Sequence, residues 1–420
     1  MLNAPKDSYE RPAPLPPVGA YLHGGAPLRD PAIERALSDE LPPLIAEAAL
    51  LRQGDSRADE TSRKALLANL DHDAAFASHG PALAASWHAM LGSLDRWMVL
   101  TPSDRNFVAY GRELRARIDA VSDQFAAAEL AYYIDPEIVS DPNPRRHPGI
   151  FAYRVERVSF VRSNDRAPIR VFEARQLGAT HSGHLLGINE DELDDPVVLL
   201  DAVDAKIKNQ ILPLLAGDAF GIADSDWAYS YRGRQAEAAA TVAIRDELLA
   251  ALYTEADNPD KAAARTQELV AASVRHHEAQ HKIDREHALR YPPELSTRLG
   301  EKKNDPFAVR SRYELSAYLS QIASDQWLPQ LTLWNLVRHG FHRGARREES
   351  YVAVVVVEGL ARQLGIPSVG AIVKNDGSID QDRLAELAIP LARKSTAELR
   401  SAATKVWADL FGEPLVRLYD

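Results

Sequence analysis

The sequence predicts an α+β fold that is predominantly helical, with a small sheet between two helical regions. Three observations predict it. Apolar residues recur every three or four positions over most of the chain, β-branched and aromatic residues concentrate between about 150 and 200, and breaker-rich stretches separate these regions. The chain has 420 residues, of which 45% are hydrophobic and 26% charged, a composition typical of a folded globular protein.

The amino-terminal part divides into an arm and a helical lobe. Residues 1–28 are expected to form an extended arm, because five prolines lie between Pro12 and Pro27 and helical periodicity is missing there. Residues 29–135 are expected to form an N-terminal helical lobe. Its predicted helices are residues 33–52 (interrupted at two prolines), 61–76, 81–94 and 103–133.

After the breaker-rich residues 136–148, residues 149–420 are expected to form a second domain. Its residues 149–201 predict a sheet of about four strands, at 151–161, 167–177, 185–188 and 197–200. Helical periodicity then returns. The predicted helices are residues 202–215, 234–254, 259–291, 305–327, 331–337, 351–364, and one or two helices in 381–411.

Charge and composition exclude several classes of protein. The net charge is −11 and the basic residues are dispersed, so no nucleic-acid partner is expected. No apolar run approaches the length of a membrane span. Cysteine is absent, which excludes disulfides and cysteine-ligated metal sites. The amino end lacks the apolar segment of a signal peptide, and both a bacterial exported protein whose signal has been removed and a cytoplasmic protein are compatible with the sequence.

The stretch VRHHEAQHKIDREHAL contains His277, Glu278 and His281 in the order H-E-x-x-H. Residues four positions apart on an α-helix lie on one face, about 6 Å apart along the axis, so both imidazoles can bind one metal ion. Neither proline nor glycine occurs in residues 261–290, as a continuous helix requires. The pattern predicts a zinc site with Glu278 beside the metal as general base; the alternative is a solvated helix face with coincidental histidines.

A catalytic zinc site needs a third protein ligand, for which two residues compete. His287 has the spacing of the third histidine in the metzincin pattern H-E-x-x-H-x-x-G-x-x-H, but Asp284 occupies the glycine position. On a helix that continues, His287 points about 80° away from His277. Metzincins also have a methionine turn downstream, whereas all methionines of this chain precede the motif. These features argue against His287.

Glu314 is the better candidate, in the predicted helix SRYELSAYLSQIA, thirty-three residues after His281. A glutamate on a second, antiparallel helix can complete a His₂Glu site and leave the fourth position to water. The pattern H-E-x-x-H, a proline-containing connection and E-x-x-A-Y on a helix resembles that of gluzincin metallopeptidases, the thermolysin-like type. The resemblance covers residues 277–318, and Tyr318 stands where these enzymes have an aspartate.

The resemblance implies a zincin-like small sheet beside an active-site helix, in addition to the N-terminal lobe. It implies His277, His281 and Glu314 as zinc ligands, Glu278 as general base, and a residue at the position of Tyr318 that supports the ligands. Asp284 lies on the same helix face as both histidines and could accept a hydrogen bond from a ligand imidazole.

Further residues are weaker candidates. Glu358, flanked by apolar residues, is a reserve third ligand, and His181 and His184 could line a cleft near an edge strand. A transition state also needs a hydrogen-bond donor for its developing oxyanion. The candidates for that donor are Tyr229, Tyr231, Tyr313, Tyr318, His339, His342 and Tyr351.

Together these features predict a zinc-dependent hydrolase, a metallopeptidase acting on a peptide or protein substrate with Zn²⁺ as cofactor. Two alternatives stay open. One is a metal hydrolase with a non-peptide substrate, and the other is a non-catalytic metal-binding or helical interaction protein. The sequence indicates no oligomeric state.

Overall fold

A computed structural model of the chain describes residues 27–52, 60–70, 72–100, 104–135, 150–164, 166–178, 187–188, 195–217, 229–252, 258–287, 289–295, 306–342 and 348–420. These residues are mostly helical, with one small sheet, which confirms the predominantly helical α+β class. The arm predicted at residues 1–28 lies almost wholly outside the described residues, as do His181 and His184. The chain divides into two compact units, Met1–Val158 with Glu173–Gly183, and Ser159–Phe172 with His184–Asp420.

The first unit contains the helices of the predicted N-terminal lobe. In its described residues these are α1 (Pro31–Arg35), α2 (Leu41–Arg52), α3 (Glu60–Asn69), α4 (Asp73–Ser78), α5 (Pro81–Met98) and α6 (Phe107–Ala127). One π-helical turn, Ala36–Glu40, joins α1 to α2. Asp30 begins α1, because its side chain accepts the backbone N–H groups of Ala32 and Ile33.

Aromatic side chains form much of the core of this unit. Phe76 and Trp87 stack with their ring centroids 4.3 Å apart, and Phe125 packs beside Phe76. Trp97 and Phe107 are likewise fully buried. Burial of such large apolar surfaces is the main source of stability in a helical lobe of this size.

The sheet has five strands among the described residues, β1 (Tyr132–Asp135), β2 (Phe151–Val161), β3 (Ile169–Leu177), β4 (Gly187–Ile188) and β5 (Val197–Leu199). Their order across the sheet is β1-β2-β3-β5-β4, which places β4 at an edge. β1 runs antiparallel to β2, and β4 antiparallel to β5. Two of the three boundaries between the units fall inside β2 and β3.

β1 corrects the prediction of a helix that extends to residue 133. The helix α6 ends at Ala127, and Glu129 takes a left-handed backbone conformation with φ of 56°. The chain then turns into β1, in which Tyr132 is paired with Arg154 of β2. The β-forming residues of Tyr132–Asp135 gain ladder hydrogen bonds there, which a longer helix could not give them.

The second unit holds most of the remaining helices. Its described helices are α7 (Leu200–Lys206), α8 (Leu212–Ala216), α9 (Tyr231–Ala251), α10 (Pro259–Glu286), α11 (Pro306–Ser324), α12 (Pro329–Val337), α13 (Glu348–Gln363), α14 (Gln381–Leu391) and α15 (Thr396–Phe411). A π-helical turn, Ile207–Ile211, joins α7 to α8, and the 3₁₀ turn Arg338–Phe341 follows α12. The segment 381–411, predicted as one or two helices, forms two, α14 and α15. In the first unit, the single helix predicted at 61–76 is instead two helices, α3 and α4.

Helix α11 lies at the centre of this unit, where it packs against α10, α12, α13 and α15. The valine-rich run of α13 is buried throughout, which explains why it is the longest apolar run of the sequence. Gly359 lets α13 approach α15 closely, since a Cβ at this position would meet Val406 Cγ1 at 2.7 Å. None of the helices in the described part of the chain is long and apolar enough to cross a membrane.

Candidate metal centre

Helix α10 carries the H-E-x-x-H motif, and its sequence explains why it forms. Asn258 accepts the backbone N–H of Lys261 at the amino end, and Pro259 occupies the first turn, where no N–H donor is needed. Val270, Val274 and Ile283 are among the buried residues that fix the helix against the core. These contacts leave His277 and His281 together on one face.

Helix α10 is shorter than the predicted helix at 259–291. It ends at Glu286, and His287 has an extended backbone with φ of −122° and ψ of 128°. No glycine or proline marks this end, but Leu289 is buried and Arg290 donates to the carbonyl oxygen of Leu410. Tertiary contacts therefore draw the chain away from the helix axis.

Helix α11 brings Glu314 to the two histidines. The Nε2 atoms of His277 and His281 lie 3.1 Å apart. One carboxylate oxygen of Glu314, Oε2, lies 3.5 Å from Nε2 of His277, and the other, Oε1, lies 3.6 Å from Nε2 of His281. These three residues, called the metal cluster below, form the group of His, Asp and Glu side chains in the described residues that could hold a metal ion.

The separations in the metal cluster fit a tetrahedral ion. Two ligand atoms bonded to zinc at about 2.0–2.2 Å and at a tetrahedral angle lie about 3.3–3.6 Å apart. The carboxylate–imidazole separations of 3.5 and 3.6 Å fall in this range, and the imidazole pair at 3.1 Å is slightly closer. The side chains stay partly exposed, Glu314 at 28%, so solvent reaches this point. Two imidazoles and one carboxylate are also a donor set that zinc accepts.

The electrostatics of the metal cluster favour a cation. Burial alone would raise the pKa of the Glu314 carboxyl, but His277 and the charges of His281 and His339 lower it to about 2. Burial likewise lowers the pKa of His277, yet Glu314 more than offsets this and raises it. Burial lowers the pKa of His281 to about 4 despite Glu314, and the charge of His277 adds to this effect. The Glu314 carboxylate thus keeps its negative charge beside the two imidazoles.

Glu278 follows His277 on α10 and is almost fully buried. Burial raises the pKa of its carboxyl to about 7; His277 and Arg285 partly oppose this, and Glu314 adds to it. A carboxyl whose pKa lies near neutrality can both accept and return a proton at working pH, which is what a general base of this kind must do.

Gln321 is a residue of the site that the sequence interpretation did not include. It lies on α11, seven residues after Glu314 and therefore on nearly the same helix face. The ring nitrogen Nδ1 of His277 is hydrogen-bonded to Oε1 of Gln321 at 3.1 Å, and Nε2 of Gln321 donates to Ser273 Oγ at 2.9 Å. The spacing from Glu314 is the one signal in the sequence that could have indicated it.

The sequence predicts that Asp284 accepts a hydrogen bond from a ligand imidazole, but in the structure its hydrogen bonds go to other residues. Its Oδ1 accepts hydrogen bonds from Gln280 Nε2 at 2.6 Å and from Ser316 Oγ at 3.2 Å. Trp407 Nε1 donates to the same Ser316 hydroxyl at 3.2 Å. Asp284 therefore belongs to a second buried network between α10 and α11, called the Asp284 network below, and Gln321 has the position predicted for it.

Tyr318 lies where the sequence places it, against the ligands. Its ring meets that of His277 edge-on, with centroids 4.8 Å apart. Burial and the charges of Glu314, Glu349 and Glu278 raise the pKa of its phenol well above 10. His339 is another of the candidate oxyanion donors, and its charge lowers the pKa of Glu314. Both are therefore placed to act on a ligand of the cluster.

Other candidates are used elsewhere. Tyr229 packs against Trp334 and Phe341, Tyr351 donates to the carbonyl oxygen of Gly377, and Tyr231 is exposed. Neither His287 nor Glu358 joins the metal cluster within the described residues.

Comparison of the chain with protein families, curated proteins and solved structures gives no match.

Proposed function

We propose that this chain is a zinc-dependent hydrolase, and specifically a metallopeptidase of the gluzincin type that cleaves peptide or related amide bonds. The observation that carries the proposal is the convergence of His277, His281 and Glu314 at separations of 3.1–3.6 Å, with Glu278 on the next position of the same helix. His277, His281 and Glu314 each offer one ligand atom, and these atoms lie close enough together to bind one ion.

The donor set favours zinc over other divalent ions. Mg²⁺ and Ca²⁺ prefer six or more oxygen ligands, whereas two imidazoles and one carboxylate match catalytic zinc. When bound, zinc would supply the Lewis acidity that activates a water molecule and polarises a carbonyl group. Three protein ligands leave the fourth position of a tetrahedral ion available to water and substrate.

The residues of this chain account for the proton transfers of amide hydrolysis. Glu278 would accept a proton from the attacking water and pass it to the leaving amine, as its raised pKa allows. Tyr318 retains its proton at neutral pH, because its pKa lies well above 10, so it can donate a hydrogen bond to the carbonyl oxygen as negative charge develops. His339 is the second candidate for this donation.

Strand β4 supports a peptide as substrate. Among the strands that the structure describes, β4 lies at the end of the sheet order, and helix α10 contacts it. An edge strand presents unpaired backbone N–H and C=O groups, which can hold an extended peptide by main-chain hydrogen bonds. Such pairing would hold a peptide beside α10, the helix that carries the metal cluster.

The proposal is tested by zinc content and by peptide hydrolysis. The purified chain should contain about one equivalent of zinc, measured by elemental analysis, and should cleave members of a peptide library detected by mass spectrometry. A chelator should abolish cleavage, and added zinc should restore it. In Glu278→Gln the zinc content should stay the same while cleavage falls by at least about 1,000-fold, because the general base is lost.

Glu286→Gln is a matched control, since Glu286 lies on the same helix but is exposed and pairs with Arg166. This variant should retain both zinc and activity. Absence of bound zinc in the wild-type chain, or full activity in Glu278→Gln, would refute the proposal. If the chain binds zinc but cleaves no peptide, it is a zinc-binding protein, and the proposal that it is a peptidase is refuted.

A further inference from the structure

We infer that Gln321 is a positioning residue of the metal cluster: its amide holds His277 in the tautomer whose Nε2 lone pair faces the metal. The inference rests on the proposed function and adds to it a residue outside the H-E-x-x-H and E-x-x-A-Y patterns. It follows from a series of buried hydrogen bonds that begins at Nδ1 of His277, the ring nitrogen that does not contact Glu314.

The hydrogen bonds of Gln321 connect two positions on α10. His277 Nδ1 lies 3.1 Å from Gln321 Oε1, while Gln321 Nε2 donates at 2.9 Å to Oγ of Ser273, one helical turn earlier. The Ser273 hydroxyl in turn lies 3.4 Å from that of Thr332 on α12. Gln321, Ser273 and Thr332, the three residues that this series of hydrogen bonds links to His277, are buried, with at most 8% of each residue exposed. Water therefore does not compete for these groups.

The orientation of the amide determines the tautomer of the histidine. With Oε1 toward the ring, Gln321 can only accept, so Nδ1 must carry the proton and donate it. A neutral imidazole with its proton on Nδ1 has a free lone pair on Nε2, the atom that faces His281 and Glu314. The opposite tautomer would put a proton where the metal must bind. Ser273 accepts a hydrogen bond from the NH₂ group of the same amide.

An amide partner also differs from the carboxylate that commonly supports a ligand histidine. A carboxylate adds a negative charge and makes the imidazole a stronger donor to the metal, whereas an amide accepts the same hydrogen bond without charge. Glutamate in place of Gln321 has nearly the same shape and can only accept at Nδ1. Leucine has nearly the same size and cannot accept at all. Comparison of Gln321→Glu with Gln321→Leu therefore shows whether Gln321 orients the His277 ring or only fills space.

Zinc affinity is the first measurement, by competition with a chelating dye. Gln321→Leu should bind zinc about 10- to 100-fold more weakly than wild type, the usual cost of losing an outer hydrogen-bond partner of a ligand. Gln321→Glu should bind at least as tightly as wild type. A residue that served only packing would weaken both variants, because glutamate brings a buried charge.

The tautomer of His277 in the metal-free protein is the second measurement, by long-range ¹H–¹⁵N correlation on histidine-labelled chain. Wild type and Gln321→Glu should show the proton on Nδ1, and Gln321→Leu a mixture of tautomers. Gln280→Leu is the matched control: Gln280 is also a buried glutamine at the interface of α10 and α11, but it donates to Asp284. This variant should keep the wild-type zinc affinity and tautomer.

The outcomes separate this inference from the proposed function. Equal zinc affinity in wild type and Gln321→Leu, with the same tautomer, would overturn the role of Gln321 and leave the metal site intact. If the wild-type chain binds no zinc, the proposed function fails, but the tautomer spectra still decide whether Gln321 orients His277. Weak zinc binding by both Gln321 variants, with an intact fold by circular dichroism, would also overturn the inference.

Discussion

Helices α10 and α11 bury two polar groups of residues between them, and the two differ in how they accommodate charge. In the metal cluster, the Nε2 atoms of both histidines and the carboxylate oxygens of Glu314 lie 3.1–3.6 Å apart. In the Asp284 network, by contrast, Oδ1 of one carboxyl accepts hydrogen bonds from Gln280 and Ser316. The first arrangement offers three ligand residues to one cation, whereas the second offers a single carboxyl that already accepts two hydrogen bonds.

The pKa values show the same difference. Burial raises the pKa of Asp284 to about 7, although Gln280 and Ser316 oppose this, so the carboxyl tends to remain neutral. Its Oδ2 is buried and has no hydrogen-bond partner among the described residues, which further favours the protonated acid. Glu314 is partly buried and keeps its charge, with a pKa of about 2, because two imidazoles face it. Convergence of ligands distinguishes a metal site from a structural carboxyl; burial and altered pKa alone do not.

Removal of one carboxylate from each group should separate them most strongly. Glu314→Ala should weaken zinc binding by at least about 1,000-fold, or about 4 kcal/mol, because one of three protein ligands is lost. Asp284→Ala should leave zinc affinity unchanged, although it removes a buried hydrogen-bonded group and lowers the free energy of unfolding. Dye competition measures the affinity, and chemical denaturation measures the stability.

Isosteric variants control for the cavities that alanine creates. Glu314→Gln keeps the volume but loses the charge, and it should bind zinc much more weakly than wild type. Asp284→Asn should bind zinc as wild type does. If Asp284→Asn lost zinc to the same extent as Glu314→Gln, the Asp284 network would have to be part of the metal site.

The sequence alone predicted the helix that holds His277 and His281, and it singled out Glu314, which the structure places beside them. It did not predict Gln321, since a contact between α10 and α11 depends on how the two helices are rotated against each other. The same limit explains Asp284: its helix face was inferred, but the packing of α11 supplies Ser316 as its partner. A local sequence pattern predicts the helix face on which a residue lies, but tertiary packing determines which residue of another helix it contacts.

The ends of elements were harder to predict than their type. The helix α6 ends near Glu129, which has a φ of 56° although it is not glycine, and no residue type signals that turn. The helix α10 ends at Glu286 in a stretch of good helix formers, because residues beyond it contact the core. Both endings depend on interactions with distant parts of the chain, which a local reading does not contain.

Asp284 should make stability depend on pH in a way that Asp284→Asn removes. The carboxyl has a pKa of about 7 in the folded chain and an ordinary pKa of 3.8, so the stability it contributes is complete below about pH 4 and lost as pH rises through 7. The free energy of unfolding of Asp284→Asn, relative to wild type, should therefore rise by about 1–3 kcal/mol between pH 4 and 7 and stay level above pH 7.

Ser316→Ala is the control for this titration. It removes one hydrogen bond to Asp284 but keeps the titrating carboxyl, so it should lower stability by about 1 kcal/mol and retain the dependence on pH. Urea denaturation at several pH values gives both quantities. Parallel curves for wild type and Asp284→Asn between pH 4 and 7 would show that the carboxyl ionises in the folded chain as it does in the unfolded one.

The smallest expected effect is that of His287→Ala, which tests the third ligand that the sequence left in competition. His287 is exposed at the end of α10, and its backbone N–H donates a hydrogen bond to the carbonyl oxygen of Ile283. The variant should therefore match wild type in zinc affinity and change the free energy of unfolding by no more than about 0.5 kcal/mol. His281→Ala, four residues from the other imidazole on the same helix, should lose zinc under the same conditions. If His287→Ala lost zinc while Glu314→Ala kept it, the metal would be held as in metzincins, and the carboxylate of Glu314 would be a partner of His277 and not a ligand.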